Sequence, residues 1–267
     1  MKSVKDLIDL SGRVALVTGG AGHIGQAICE TLAELGAAIA VLDINQKATT
    51  RVVERIRFEF DVEAMPLVVD LADQQDVQLA PAQVLDRFGR LDILVNDAAF
   101  VGTSNLEGWV VPFKEQLPET WRDAIEVNLT APFVLAQACH DALMESGHGS
   151  IINIASIYGL VAPNMDLYAG TEMGNPAAYA ASKAGLLQLT RWLATVLAPE
   201  IRVNAITPGG VFCNQPDIFV DRYRRRTPLK RMAREEDFKG AIAYLASDLS
   251  AYVTGQNLVV DGGWTIW

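Results

Sequence analysis

Short apolar runs alternate along the chain with longer segments in which apolar residues recur at helical spacing. The runs Val14 to Thr18, Ala38 to Leu42, Ala64 to Val69, Ile93 to Asn96, Ser150 to Ile154, Ile201 to Ile206 and Asn257 to Val260 predict strands. They are apolar at nearly every position, which is the pattern of strands covered on both faces. The segments between them predict helices at about His23 to Leu35, Gln46 to Phe60, Gln74 to Phe88, Pro118 to Ser146, Ala178 to Leu197 and Glu235 to Ser247. Strand and helix in strict alternation predict βαβ units: an α/β fold with a doubly wound, parallel, seven-stranded sheet and helices on both faces. With no internal repeat, low-complexity tract or linker-like shift in composition, residues 1–267 are expected to form a single domain.

Two stretches break the alternation. Phe100 to Leu117 and Gly159 to Pro176 follow the fourth and fifth strands and are rich in glycine and proline. Loops of this length in a compact domain are usually functional, and here they fall at the carboxyl edge where doubly wound sheets bind ligands.

Composition narrows the partners. Lys+Arg 22 against Asp+Glu 32 leaves a net charge of -10, so the chain repels phosphate backbones and is not expected to bind nucleic acid. No run approaches the roughly 20 apolar residues of a membrane span, and the N-terminal stretch lacks the apolar core of a signal peptide. Cys29, Cys139 and Cys213 are odd in number and widely spaced, with no metal-ligand pattern, so they read as buried small residues in a reducing, cytoplasmic setting and no metal is expected.

The first predicted strand runs into Thr18-Gly19-Gly20-Ala21-Gly22-His23-Ile24-Gly25 and then a helix. This is the context of a dinucleotide-binding glycine loop and makes the sheet Rossmann-type. Gly19 permits the tight turn, Gly22 lets backbone approach a pyrophosphate at the helix N-terminus, and Gly25 lets the helix pack on the strand. Asp43 ends the second strand, where a carboxylate accepts from adenosine ribose hydroxyls and repels a 2′-phosphate. With no Arg or Lys in the loop or immediately after Asp43, NAD(H) is favoured over NADP(H). Asp43 is also placed to cap the following helix, and Asp70 reads equally as an adenine contact or a surface turn.

Tyr179-Ala180-Ala181-Ser182-Lys183 sets a phenol and an ammonium four residues apart, on one face of a helix. A cation about 4 Å from a phenol is worth up to roughly 4 kcal/mol at an effective dielectric near 20, enough to bring its proton into useful range. Ser156 follows the fifth strand, and Asn128 lies in the long helix before it. At these residues the chain resembles the short-chain dehydrogenases/reductases of the short, single-domain type, essentially end to end. The matching pieces are the glycine loop, Asn96-Asp97-Ala98-Ala99, Asn128, Ile154-Ala155-Ser156, the Tyr179 to Lys183 segment, Pro208-Gly209-Gly210-Val211, and the tail from Val253 to Gly263.

The resemblance implies a tetrad. Tyr179 would be the general acid/base, Ser156 would orient substrate, Lys183 would bind the nicotinamide ribose and lower the tyrosine pKa, and Asn128 would support a relay water. It also implies cofactor contacts at His23, Ile24, Asp43, Asp70, Leu71, Asn96, Ala98, Pro208, Gly209 and Val211, and association into homo-oligomers, commonly tetramers. The reaction implied is interconversion of a secondary alcohol and a ketone; the alternatives are an epimerase or dehydratase with tightly held NAD, and a non-catalytic NAD(H) sensor. Tyr168 competes with Tyr179 on its distance from Ser156, but its fourth neighbour is Glu172, which would raise a phenol's pKa where Lys183 would lower that of Tyr179. The choice of Tyr179 implies an insertion of about ten residues after Ser156, set to shape the substrate pocket. His23, Asp97, Ala99 and Cys213 depart from the family's usual glycine, Asn, Gly and Thr, and the His23 departure gives the loop the spacing of the sugar-nucleotide branch.

Toward the substrate, Arg222, Arg224, Arg225, Arg226, Lys230, Arg231 and Arg234 gather seven positive charges within thirteen residues, where the family carries its mobile lid. They read either as a solvated or subunit-contact face, or as an anion clamp led by Arg222 and Arg226. Tyr158, Tyr168 and Phe212, with Trp109 and Phe113, are candidates to line a ring-binding pocket. Together these features point toward a sugar, sugar acid or sugar-nucleotide hydroxyl as the reacting group.

Overall fold

The computed structural model describes all 267 residues. Its seven strands, β1 (Val14–Thr18), β2 (Ala38–Asp43), β3 (Ala64–Val68), β4 (Ile93–Asn96), β5 (Gly149–Ile154), β6 (Ile201–Pro208) and β7 (Asn257–Val260), form one sheet in the order β3-β2-β1-β4-β5-β6-β7. Every neighbouring pair is parallel, with Val14 opposite Ala38 and Ala15 opposite Ile93. The order reverses between β1 and β4, and that switch point opens the crevice in which such sheets take ligands.

The helices before the first loop are α1 (Val4–Ile8), α2 (His23–Glu34), α3 (Gln46–Phe60) and α4 (Gln74–Phe88). Strand residues alternate between two cores. Ala15, Val17, Ile39, Val41, Ile93 and Val95 pack with Ile28 and Leu32 of α2 and Val52 and Ile56 of α3. Leu16, Ala40, Leu42 and Leu94 turn to the opposite face, against Val77 and Val84 of α4. Because both faces of β1, β2 and β4 are covered, these strands carry no polar stripe and read as continuous apolar runs, whereas the edge strands β3 and β7 expose Val68, Leu258 and Val259.

The segment expected as one helix from Pro118 to Ser146 is broken. It runs as α5 (Pro118–Ile125), a π-turn over Glu126–Thr130, α6 (Ala131–Ala138) and α7 (His140–Glu145). Single π-turns inside helices admit one extra residue per turn and frequently mark functional sites; Asn128 sits in this one. Helix α8 (Ala177–Leu197) matches its expected bounds within a residue. Helix α9 (Asp217–Arg226) was not predicted, and the segment from Glu235 starts as a 3-10 turn before α10 (Lys239–Ala246). No helix is long and apolar enough to cross a membrane.

Candidate active site

The carboxyl ends of the central strands border a cleft of about 560 Å³. The glycine loop forms one end of it. Gly19 has φ +64, and a Cβ on Gly25 would lie 2.0 Å from the Gly19 carbonyl oxygen, so loop and helix approach as closely as the sequence implied. Gly22 is the N-cap of α2, with no side chain bonded to the first-turn amides. Those donors are therefore available to an anion. Gly19, Gly22, His23, Ile24, Asp43, Asp70, Leu71, Ala98, Pro208, Gly209 and Val211 all line the cleft. Asp43 accepts from the Asn45 amide through one oxygen, while Asn45, not Asp43, caps α3. Asp70 makes its own turn by accepting from Ala72 N–H and still borders the cleft. An open glycine cradle, free helix amides and an acidic side chain at the end of β2 fit a dinucleotide.

Asn96 departs from expectation. Its amide lies in the sheet interior, donating to Asn153 Oδ1 at 2.8 Å, and it does not line the cleft; the contact there falls to Asp97 and Ala98. Thr18 Oγ1 accepts from both of their amides, which pins the turn after β4 to β1.

Further along the cleft lie Ser156, Tyr179 and Lys183. Ser156 leaves β5 in extended conformation and its hydroxyl accepts from the Tyr158 amide at 3.2 Å. The same hydroxyl is near enough to the Tyr179 phenol to favour its ionised form. Lys183 is buried, and its ammonium donates to the Ile154 carbonyl at 2.7 Å.

The expected lowering of the tyrosine pKa by Lys183 is corrected. Burial raises Tyr179 above the ordinary phenol range, only the Ser156 hydroxyl opposes it, and Tyr168 and Asp97 raise it further. The ammonium is committed to a carbonyl and is itself pushed down by burial, with Asp97 opposing. Asp97 is raised by burial and drawn back by Lys183, so the Asn-to-Asp departure places a carboxyl and an ammonium in one desolvated environment.

Asn128 does not reach the cleft. It is fully buried behind it, accepting from Phe100 N–H at 2.7 Å and donating to Phe100 O and Ser182 Oγ, each at 3.1 Å. It therefore ties the π-turn to the loop after β4 and to α8, and acts as a positioning residue.

Tyr158 and Tyr168 line the cleft with their hydroxyls 2.8 Å apart. Tyr168 follows a 3-10 turn rather than sitting on a helix, and its environment is set by burial, Tyr158 and Asn175 rather than by Glu172.

The anion clamp is not formed. Arg222 donates to the Leu167 and Ala169 carbonyls, Arg226 lies over the Trp264 ring, and Arg231 pairs with Asp237. None of the seven basic residues lines the cleft. Phe212 is also outside it; its carbonyl bonds His23, which pairs with Glu235. Trp109 is buried, and Phe113 borders a separate surface hollow. Cys29 and Cys139 are buried as expected, whereas Cys213 is exposed at the cleft.

Met173, Asn175, Phe219, Tyr223 and Met232 complete the wall and were not anticipated. They come from three separate segments, and only the pair Phe219 and Tyr223, one helical turn apart after Pro216 and Asp217, carried a signal: an apolar stripe behind a helix start.

The family model described as Enoyl-(Acyl carrier protein) reductase matches residues 19–265. The crystal structure of a short-chain type dehydrogenase/reductase from Mycobacterium marinum matches with a TM-score of 0.85 and 32% identity, over 99% of each chain. The chain belongs to the short-chain dehydrogenase/reductase family. As such it is an oxidoreductase of the short-chain alcohol dehydrogenase and ketoreductase class. This dehydrogenase/reductase is 31% identical to post-translational flagellin modification protein A of Campylobacter coli, over 96% of this chain and 99% of that protein. It also matches a gluconate 5-dehydrogenase from Burkholderia cenocepacia, crystallised in complex with NADP and tartrate, with a TM-score of 0.86 and 32% identity over 99% of this chain and 100% of the other.

Proposed function

We propose that the enzyme interconverts a secondary alcohol and its ketone using NAD(H), with Tyr179 as the proton-transferring group. The observation that carries this reading is the convergence of Ser156, Tyr179 and Lys183 on the cleft whose other end is the glycine loop. When bound, the dinucleotide takes or gives a hydride; the side chains manage the rest. Tyr179 accepts the alcohol proton in oxidation and returns it in reduction. Ser156 steadies the reacting oxygen, and the Tyr158 amide fixes its hydroxyl at the end of β5. Lys183, anchored on Ile154 O, supplies a buried positive charge on the side where a nicotinamide ribose would lie. Asn128 keeps α8 and the loop after β4 in register.

Asp43 supports NAD(H), since a carboxylate at the end of β2 repels a 2′-phosphate and no Arg or Lys lines that part of the cleft. Retention of both Tyr179 and Lys183 in the cleft favours turnover over cofactor sensing. The reading is tested by following reduced-nicotinamide absorbance with NAD+ and NADP+ across a panel of secondary alcohols. NAD+-dependent oxidation is expected; cofactor binding with no turnover of any alcohol would reject the proposal.

A further inference from the structure

The cleft holds a second set of polar atoms that the transfer of hydride and proton does not use. The Tyr158 and Tyr168 phenols are 2.8 Å apart, and Asn175 lies beside Tyr168. Two phenols sharing one hydrogen bond keep one O–H free to donate. Asn175 Oδ1 is buried with no partner, and Asn175 lines the same cleft. A buried amide oxygen left unpaired is costly. The cluster thus presents one spare donor and one spare acceptor.

A hydroxyl group answers both at once, since it gives one proton and accepts another. A carboxylate or phosphate would take the phenol proton but set negative charge against Oδ1. Burial raises both phenols above the usual range, so they remain protonated donors at neutral pH. The neighbouring wall, Met173, Phe219 and Met232, is apolar. The only basic residues on the cleft are His23, at the glycine loop, and Lys183, bonded to Ile154 O, so nothing on this wall balances an anion.

We propose that Tyr158, Tyr168 and Asn175 form a hydroxyl-binding subsite, and that the substrate is an uncharged diol or polyol, oxidised to a hydroxyketone. The proposal rests on the alcohol–ketone reading above. In the step itself, the C–H bond of the reacting carbinol breaks with its electron pair passing as hydride to NAD+, the O–H proton passes to Tyr179, and the second hydroxyl stays intact on the subsite.

The test compares vicinal cyclohexanediol, cyclohexanol and the ring-matched hydroxycarboxylate at saturating NAD+, by initial rate and by ligand-induced shift in melting temperature. Wild type and Tyr168→Phe are measured, with circular dichroism reporting the fold of the variant. The diol is expected to exceed cyclohexanol about tenfold in kcat/KM, equivalent to about 1.4 kcal/mol, and Tyr168→Phe to abolish that preference. Equal turnover of diol and cyclohexanol, preference for the hydroxycarboxylate, or a preference intact in Tyr168→Phe would overturn the subsite and leave the alcohol–ketone reading standing. Selective diol binding that Tyr168→Phe abolishes, with no turnover, would support the subsite and overturn the reading on which it rests.

Discussion

Asp43 and Asp97 show how single carboxyls tune the site from opposite sides. In the proposed NAD(H) reading the free oxygen of Asp43 would hold ribose hydroxyls, and charged hydrogen bonds of this kind are worth about 1.5–3 kcal/mol. Asp43→Ala is therefore expected to lower kcat/KM with NAD+ about tenfold or more while raising it with NADP+, as measured by steady-state kinetics with each cofactor. Asp97 is held above the ordinary carboxylate range by burial, despite Lys183. Between its unfolded and folded pKa the native state binds more protons than the unfolded state, so this group's contribution to stability falls as pH rises. Asp97→Asn removes that loss. Its melting temperature relative to wild type is expected to climb between pH 5 and pH 8; a difference independent of pH would contradict the assigned burial. At this scale the sequence was informative where a residue type has one chemistry, as with Gly25, where a Cβ would collide with the Gly19 carbonyl. It misled where the environment decides. Spacing put Lys183 beside Tyr179, but burial of the phenol raises its pKa, with Tyr168 and Asp97 adding to it and only Ser156 opposing.

The central strands were legible because two buried faces leave a continuous apolar run, and most helices because one buried face leaves apolar residues at helical spacing. The long helix around Asn128 looked unbroken, since a π-turn changes hydrogen bonding and not composition. That turn carries Asn128 into the gap between Phe100 and Ser182. Asn128→Ala leaves the Phe100 amide and carbonyl without their partner, at about 1–3 kcal/mol per stranded group. A lowered denaturation midpoint together with reduced kcat is expected, with cofactor affinity nearly unchanged; loss of affinity alone would place Asn128 differently. Helix α9 escaped notice because its arginines read either as a solvated or subunit-contact face or as an anion clamp. In the fold they cluster in its last turn, favourable for the helix dipole, while Phe219 and Tyr223 face inward and Tyr223 stacks on Trp264 at 4.3 Å. The basic segment thus lines the cleft with Phe219 and Tyr223 while Arg224, Arg225 and Arg226 face solvent.

Across the whole molecule the cleft draws on residues from Gly19 to Met232, so no isolated fragment contains the site. Trp121 on α5, Trp192 and Val196 on α8, and Ile266 and Trp267 at the C-terminus are exposed. Apolar surface of this kind is seldom left to solvent by a monomer, in line with the homo-oligomer that the family resemblance implies. Light scattering on the purified 29.0 kDa chain is expected to give a multiple of that mass, and Trp192→Glu to lower it; a monomer at micromolar concentration would refute association. The central claim, that a phenol and a nicotinamide share this cleft and divide the proton and the hydride between them, is tested most directly by Tyr179→Phe. Turnover is expected to fall about 10²- to 10⁴-fold while NADH affinity, measured by fluorescence titration, stays within about twofold. Turnover at the wild-type rate in that variant would contradict the account.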